Sequence, residues 1–461
     1  MKSTRVQVVV LGGGKAGKSL AIDLGKQGVQ TALIERSAEM IGGSCINVAC
    51  IPTKTFIESA RVVQTVRRAP EFGIYTGEVK VEWPEVRQRT KKVVAAMREM
   101  NRKNMTTPAP LQLVIGSGRF VGPKTIEVRD GNEVRIFEAE KIFVNTGTRP
   151  ARPTIPGAEN ADVFNSETIQ RIPELPRHLV VIGGSYVSLE FAQMFRRLGS
   201  QVTILERGAQ LLKREDEDIA RNLEDILRSE GIEIRLNCSI ERIEKDLEGS
   251  AVVAKVNGET HRFVGSHLLF ATGRQPNTED LDLASAGVET DSHGFVKVNE
   301  RLETTAAGIW ALGDVNGGPQ FTHISFDDYR IVKTNVFESG NRSTKDRLVP
   351  FTLFTDPELA RVGLTEKEAR AQDRNIRIAK LPAGSIPRAK TMSETRGLLK
   401  AVVDAKTEQI LGCSLLCAGA GEMLGAVQMT MVAGLPYTSL RDAVLAHPTM
   451  VEGFGNLFTT L

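Results

Sequence analysis

A glycine-rich unit that occurs twice constrains this chain more than any other feature. Residues 6–11 are a continuous apolar run, the pattern of a strand buried on both faces of a parallel sheet. Gly12, Gly14 and Gly17 follow in G-x-G-x-x-G spacing, then a helical stretch ending near Gly28 and a second apolar run, residues 31–34, closed by Glu35. The glycines permit a tight turn and the close approach of a pyrophosphate to a helix N-terminus, and the acid ending the second strand can hold ribose hydroxyls. The unit recurs as an apolar run over 178–182, a loop GGSYVS containing Gly183, Ser185 and Tyr186, a helical stretch to Gly199, and a run over 202–205 ending in Glu206. Gly12 precedes Glu35 by 23 positions, and Gly183 precedes Glu206 by the same 23. In the second copy Ser185 and Ser188 replace the second and third glycines of the template. Each unit is followed by a strand that runs into a Thr-Gly turn, with Thr146 and Gly147 in KIFVNTGTRP and Thr272, Gly273 and Arg274 in LLFATGRQPN. Two dinucleotide sites on one chain are the expectation.

Composition removes several function classes. At about 150 residues per domain, 461 residues suggest three domains, and 41% hydrophobic with 25% charged residues is ordinary globular composition. The net charge of +3 is spread along the chain, so no footprint for nucleic acid is expected. No apolar stretch reaches the roughly 18 residues that a spanning helix needs, and the first residues show no signal-peptide cleavage site, so a cytoplasmic location is expected. Five cysteines in a chain of this length are not a secreted disulfide framework.

Two of them, Cys45 and Cys50, lie close in sequence. In a regular helix five positions separate Cα atoms by about 7.5 Å, beyond disulfide reach, so a bridged pair requires an irregular helix. Pro52, which lacks an N–H, can loosen that turn by leaving the Val48 carbonyl without its i+4 donor. Such a pair in a reducing compartment is a redox dithiol, part of a metal site, or two buried bystanders. Cys238, Cys413 and Cys417 sit among Leu, Ile, Gly and Ala, as structural cysteines do. Cys413 and Cys417 have no His or Cys neighbours, and no metal site is expected.

The segment GGSCINVACIPTK, residues 42–54 with Gly43 and Ser44 at its start, resembles the active-site segment of the flavoprotein disulfide reductases, the family of glutathione reductase, dihydrolipoamide dehydrogenase and mercuric reductase. The resemblance extends through ATGRQPN, IWALGD ending at Asp314, FTDPELARVGLTE and HPTMVE. GKAGKSLA, FTHISFDDYRIV, SIPRAKTMSETRG and AGLPYTSLRDAV resemble the family's reactive-chlorine-resistance branch. It implies an α/β fold with two Rossmann-like domains, for FAD and NAD(P), and a C-terminal α+β dimerisation domain. The implied segments are 1–150 for FAD, 151–277 for NAD(P), 278–345 returning to the FAD domain, and 346–461 for dimerisation.

The same resemblance implies the roles. Cys50 lies against the flavin and Cys45 is the outer thiol, with thiol pKa values lowered by a helix N-terminus and a neighbouring base. Lys54, one turn after Cys50, pairs with Glu190. His447, in a cis-proline turn with Pro448, and Glu452 form an acid/base pair that serves the partner subunit of a homodimer. Asp314 holds the ribityl chain, and a helix starting between residues 321 and 324 aims its dipole at the flavin, with His323 near its start. Glu206 favours NADH over NADPH, although Arg207 beside it can turn toward a 2′-phosphate. The implied activity is an NAD(P)H-dependent oxidoreductase that reduces hypothiocyanous acid, a related reactive-chlorine species, or copper(II) in oxidative-stress defence. Mercury is disfavoured because no cysteine follows Cys417 and no metal-trapping segment precedes the first strand. Dihydrolipoamide dehydrogenase, a mercuric-reductase-like enzyme and a flavin-loaded redox sensor remain alternatives.

Overall fold

The computed structural model describes residues 3–152 and 154–461. The chain folds as two compact units. The first combines the residues up to Thr55 with Arg87–Ala151 and Gly273–Arg347, and the second combines Phe56–Val86, Arg152–Thr272 and Leu348–Leu461. The chain passes from one to the other at 151–152, 272–273 and 347–348, and within the helices Cys50–Arg67 and Trp83–Thr106.

In the first unit Leu111–Ile115, Thr31–Glu35, Ser3–Leu11 and Glu133–Val144 lie side by side as a parallel sheet. Val8, Val9 and Val10 are fully covered, which explains the unbroken apolar run: both faces of this strand meet a core. On one face Val8, Val10 and Leu33 pack with Leu20 and Leu24 of the helix Lys15–Lys26 and with Ile331 and Val332 of the helix Thr322–Phe337. The strand Glu133–Val144 is long enough to serve three neighbours. Its first half pairs antiparallel with Thr125–Asp130, its last residues pair parallel with Ile309–Ala311, and nearly its whole length pairs with Ser3–Leu11.

In the second unit the repeated glycine unit builds a parallel sheet in the order Glu233–Arg235, Gln201–Leu205, His178–Ile182, His267–Phe270, Val163–Asn165. A three-stranded antiparallel meander follows the chain from Cys238 to Gly265. The C-terminal segment is an antiparallel sheet in the order Phe351–Leu353, Glu358–Gly363, Ile410–Cys417, Leu398–Asp404, Ile376–Pro382. Its core includes Ala360, Leu399, Leu415, Val427 and Phe454. Cys413 and Cys417 lie in that core and Cys238 is buried, as their apolar neighbours predicted. The fold is therefore α/β, with two Rossmann-like sheets and a C-terminal α+β segment.

Candidate active site

The first glycine motif is shaped by close backbone approaches. Gly12 has φ +101°, and a Cβ there would lie 2.3 Å from the Asn145 carbonyl oxygen. A Cβ on Gly17 would lie 2.3 Å from the Gly12 carbonyl oxygen. Asn145 ties the motif together: its Oδ1 accepts from the Gly17 N–H at 2.8 Å and its Nδ2 donates to the Leu312 carbonyl at 2.6 Å. Ser325 Oγ accepts from the Ala16 N–H at 3.2 Å. Glu35, almost fully buried, accepts from the Gly13 N–H at 2.9 Å, and burial pushes its carboxyl above the usual range.

The second copy repeats the device. Glu206 accepts from the Gly184 N–H at 2.5 Å and from the Gly208 N–H at 2.6 Å. Gly183 N–H donates to the Leu205 carbonyl at 2.9 Å, as Gly12 N–H does to Ile34 at 2.8 Å. Ser185 stands as the N-cap of the helix Tyr186–Leu198, and Ser188 is completely buried with no partner for its Oγ. Tyr186 donates its hydroxyl to the buried Glu215 at 2.9 Å. Both Thr-Gly turns use left-handed glycines, Gly147 at φ +68° and Gly273 at φ +134°.

The residues of the first unit fit FAD. Gly14 and Gly43 meet so closely that a Cβ on Gly43 would lie 2.7 Å from the Gly14 Cα, leaving a side-chain-free cradle beside the helix N-terminus. Thr146 Oγ1 is buried without a partner, a donor open to a ligand. Asp314 is partly buried and its carboxyl is pushed up by desolvation, against the charge of Arg274. It accepts from Thr148 Oγ1 at 3.0 Å, which in turn accepts from Arg274 Nε at 2.8 Å. A partly buried carboxylate with spare acceptor capacity suits the hydroxyls of a ribityl chain.

Cys45 and Cys50 come together through a break in the helix. Ser44–Asn47 is one short helix and Cys50–Arg67 another, separated at Val48, whose φ of −143° is not helical. The irregularity that the spacing demands is present, but it lies before Pro52, which sits inside the first turn of the second helix. Cys50 opens that helix, and its Sγ lies 3.7 Å from Oγ1 of Thr322, the first residue of the helix Thr322–Phe337. His323 is the next residue, its ring 5.3 Å from that of Phe321.

The expectation of a lowered pKa fails for Cys45. Its thiol is pushed up, first by its hydrogen bond to Cys50, then by burial and by the neighbouring Cys50 charge; Thr322 and Lys18 act in the opposite direction. Two adjacent sulfurs resist carrying two negative charges, so one proton stays on the pair.

In the second unit His447 is joined to Pro448 by a cis peptide bond, and its Nδ1 lies 2.8 Å from Glu452 Oε2. The carboxylate fixes the imidazole orientation and leaves Nε2 on a ring that is largely exposed. The other oxygen of Glu452 is buried with no partner. Glu190 is buried in the helix Tyr186–Leu198 and accepts from the Phe354 N–H at 3.0 Å. Lys54 lies one turn after Cys50 in its helix. Asn145, Thr148, Thr322 and Ser325 were not singled out by sequence reasoning. Asn145 carries a usable signal, since it directly precedes the Thr146-Gly147 turn, but Thr148, Thr322 and Ser325 stand in no spacing that marks them.

Two dinucleotide folds with an adjacent cysteine pair define a dithiol oxidoreductase that works with two nucleotide cofactors. The chain belongs to the pyridine nucleotide-disulphide oxidoreductases: that family's model matches residues 6–328, and the model of its dimerisation domain matches 349–458. It is 42% identical over 457 residues to the probable pyridine nucleotide-disulfide oxidoreductase RclA of Escherichia coli, with 99% of each chain covered. A solved structure described as the Cu(II) complex of the HOCl-induced flavoprotein disulfide reductase RclA from Escherichia coli superposes with a TM-score of 0.91, also over 99% of each chain. A mercuric reductase of Staphylococcus aureus is 32% identical, with 97% of this chain and 80% of the relative covered. The chain is thus an FAD- and pyridine nucleotide-dependent oxidoreductase. No helix among the described residues is long and apolar enough to cross a membrane.

Proposed function

We propose that this enzyme uses NADH to reduce hypothiocyanous acid or a related reactive-chlorine species, with copper(II) as a second candidate acceptor, as a homodimer in the cytoplasm. The observation that carries this reading is the Cys45–Cys50 pair at the break between two helices, in a chain that matches an HOCl-induced flavoprotein from end to end. FAD, when bound, would supply two-electron transfer between the nicotinamide nucleotide and the disulfide. The rest is side-chain chemistry. Cys45, as a thiolate, attacks the sulfur of hypothiocyanous acid, forming Cys45–S–SCN and releasing hydroxide, which becomes water on protonation. Cys50 then attacks the Cys45 sulfur, thiocyanate leaves, and the disulfide re-forms. His447, held by Glu452, takes and returns the thiol proton across the dimer interface. Lys54 and Glu190 act beside the flavin, and His323 stands at the start of the helix that faces it. Gly12, Gly14, Gly17, Glu35, Gly43, Ser44, Thr146, Gly147 and Asp314 hold FAD. Gly183, Ser185, Tyr186, Glu206, Arg207, Gly273 and Arg274 hold or border the nicotinamide nucleotide. The four segments 1–150, 151–277, 278–345 and 346–461 are the corresponding domains.

The test is a screen of hypothiocyanous acid, copper(II), lipoamide, glutathione disulfide and mercury(II) against purified holoenzyme, following NADH and NADPH oxidation. The greatest turnover efficiency is expected with hypothiocyanous acid and NADH. Lipoamide as the best acceptor would make the chain a dihydrolipoamide dehydrogenase, and no turnover with any of them would favour a redox sensor.

A further inference from the structure

Lys18 is a buried cation that the chemistry above leaves unused. It stands on the helix Lys15–Lys26, one turn into the helix that follows the first glycine motif, and is only 8% exposed. Its Nζ donates to Asn101 Oδ1, and among the described residues no carboxylate lies within salt-bridge distance of it. A buried ammonium without an anion is costly, which makes its natural counter-charge worth locating.

The surrounding contacts point to the cysteine pair. Asn101, on the helix Trp83–Thr106, donates its Nδ2 to the Met97 carbonyl at 2.7 Å and packs on Gly42, where a Cβ would lie 3.3 Å from the Asn101 Cγ. Asn47 clamps the same segment, donating to the Ile41 and Gly43 carbonyls at 2.9 Å each while accepting from Arg98 Nε at 2.7 Å. The short helix that carries Cys45 and the segment before it are therefore held against the helix Trp83–Thr106, whose Asn101 also accepts from Lys18. The titratable groups that face Lys18 are Lys15 on its own helix and Cys45 on the facing one; Asn101 is neutral, and Cys50 faces Cys45. Cys45 is thus the one group facing Lys18 that can become an anion.

We infer that Lys18 is a positioning residue for the dithiol, its ammonium supplying the fixed positive charge against which Cys45 ionises. The inference rests on the reading of Cys45 and Cys50 as the redox pair, but it concerns ionisation and not turnover. Burial and Lys15 hold Lys18 down to about 8, so it remains charged at neutral pH. The Lys18 side chain carries the effect and Asn101 aims it.

The experiment uses FAD-loaded Cys50→Ser protein, in which Cys45 is the one thiol outside the core because Cys238, Cys413 and Cys417 are buried. The pH dependence of Cys45 alkylation by iodoacetamide, read by mass, reports its thiolate fraction whichever acceptor the enzyme uses. Adding Lys18→Met removes the charge and keeps an apolar stem. Adding Asn101→Asp leaves Lys18 in place and neutralises it. Both are expected to move the alkylation midpoint upward by about one unit, which slows alkylation about tenfold below the midpoint. An unchanged midpoint in both variants overturns the proposal. A shift in Lys18→Met alone also overturns it, because that outcome assigns the effect to packing. If Lys18→Met alone loses FAD, the Asn101→Asp arm decides; loss of FAD from both would assign Lys18 to the flavin cradle and overturn the proposal.

Discussion

Lys18 also sets a measurable cost on the fold. Its ordinary pKa of 10.5 falls to about 8 in the folded protein, chiefly through burial. Between those values the unfolded chain binds the proton more readily than the native one, so stability rises with pH across that window, and the full cost is present below about pH 8. Lys18→Met is expected to lose about 2–4 kcal/mol of its stability relative to the parent between pH 7 and pH 10.5, measured by denaturant midpoints at both ends. A pH-independent difference would mean that Lys18 keeps its ordinary pKa on folding and that its burial does not cost the charged form. The two cysteines separate by role in another measurement. FAD-loaded Cys45→Ser, in which the Cys50 thiolate can no longer be trapped in a disulfide, is expected to show a long-wavelength absorbance shoulder that Cys50→Ser lacks, and both should lose disulfide exchange. A shoulder in Cys50→Ser instead would exchange the inner and outer assignments. For His447→Gln, turnover should fall by about 10²–10⁴ with flavin content retained; an unchanged rate removes His447 as the base. The closeness of Cys45 to Cys50 and of His447 to Glu452 was legible through the motifs that carry them, each pair lying five positions apart. Lys18 was not, because a lysine in a helical stretch carries no mark of whether its end meets water or Asn101.

At the scale of elements, the two glycine units show what sequence spacing does and does not carry. The strand, turn, helix, strand and acid order was readable because each step has its own periodicity, and Glu35 and Glu206 bind the same glycine N–H in both copies. The two serines that replace the missing glycines were readable, whereas their surroundings were not: Ser185 becomes the N-cap of the next helix, and Ser188 is buried with its Oγ unpartnered. Gly17→Ala would drive a Cβ to 2.3 Å from the Gly12 carbonyl oxygen. It is expected to yield protein without FAD, checked by the ratio of flavin to protein absorbance; a flavin-loaded variant would show that the motif can relax. Ser188→Ala removes a buried hydroxyl that has no partner and should raise ligand-free stability by about 1 kcal/mol. The break falls at Val48, between the two cysteines, where their spacing requires an irregular helix and where the donor that Pro52 lacks loosens the turn.

At the scale of the whole molecule, the C-terminal segment exposes Met429, Val432 and Leu435 in and just after the helix Ala420–Val432, and Val444 beyond it. Apolar side chains left open on a dimerisation domain are expected to be covered by a second copy. Val432→Asp combined with Met429→Asp should shift the protein toward monomer in light scattering and lower turnover with it, if His447 serves the partner's dithiol as proposed. A fully active monomer would place the acid/base pair elsewhere. The strand Glu133–Val144 has a consequence for how the molecule is made. The flavin half is closed by Asn145 reaching Leu312 and by Thr148 reaching Asp314, contacts 167 and 166 positions apart in the chain. At roughly 5–20 residues per second, a ribosome needs about ten to thirty seconds to supply the second partner after the first has emerged. Throughout that interval the last residues of Glu133–Val144 lack their Ile309–Ala311 neighbour and Asp314, proposed above to hold FAD, does not yet exist, so on that reading flavin capture waits on the final third of synthesis.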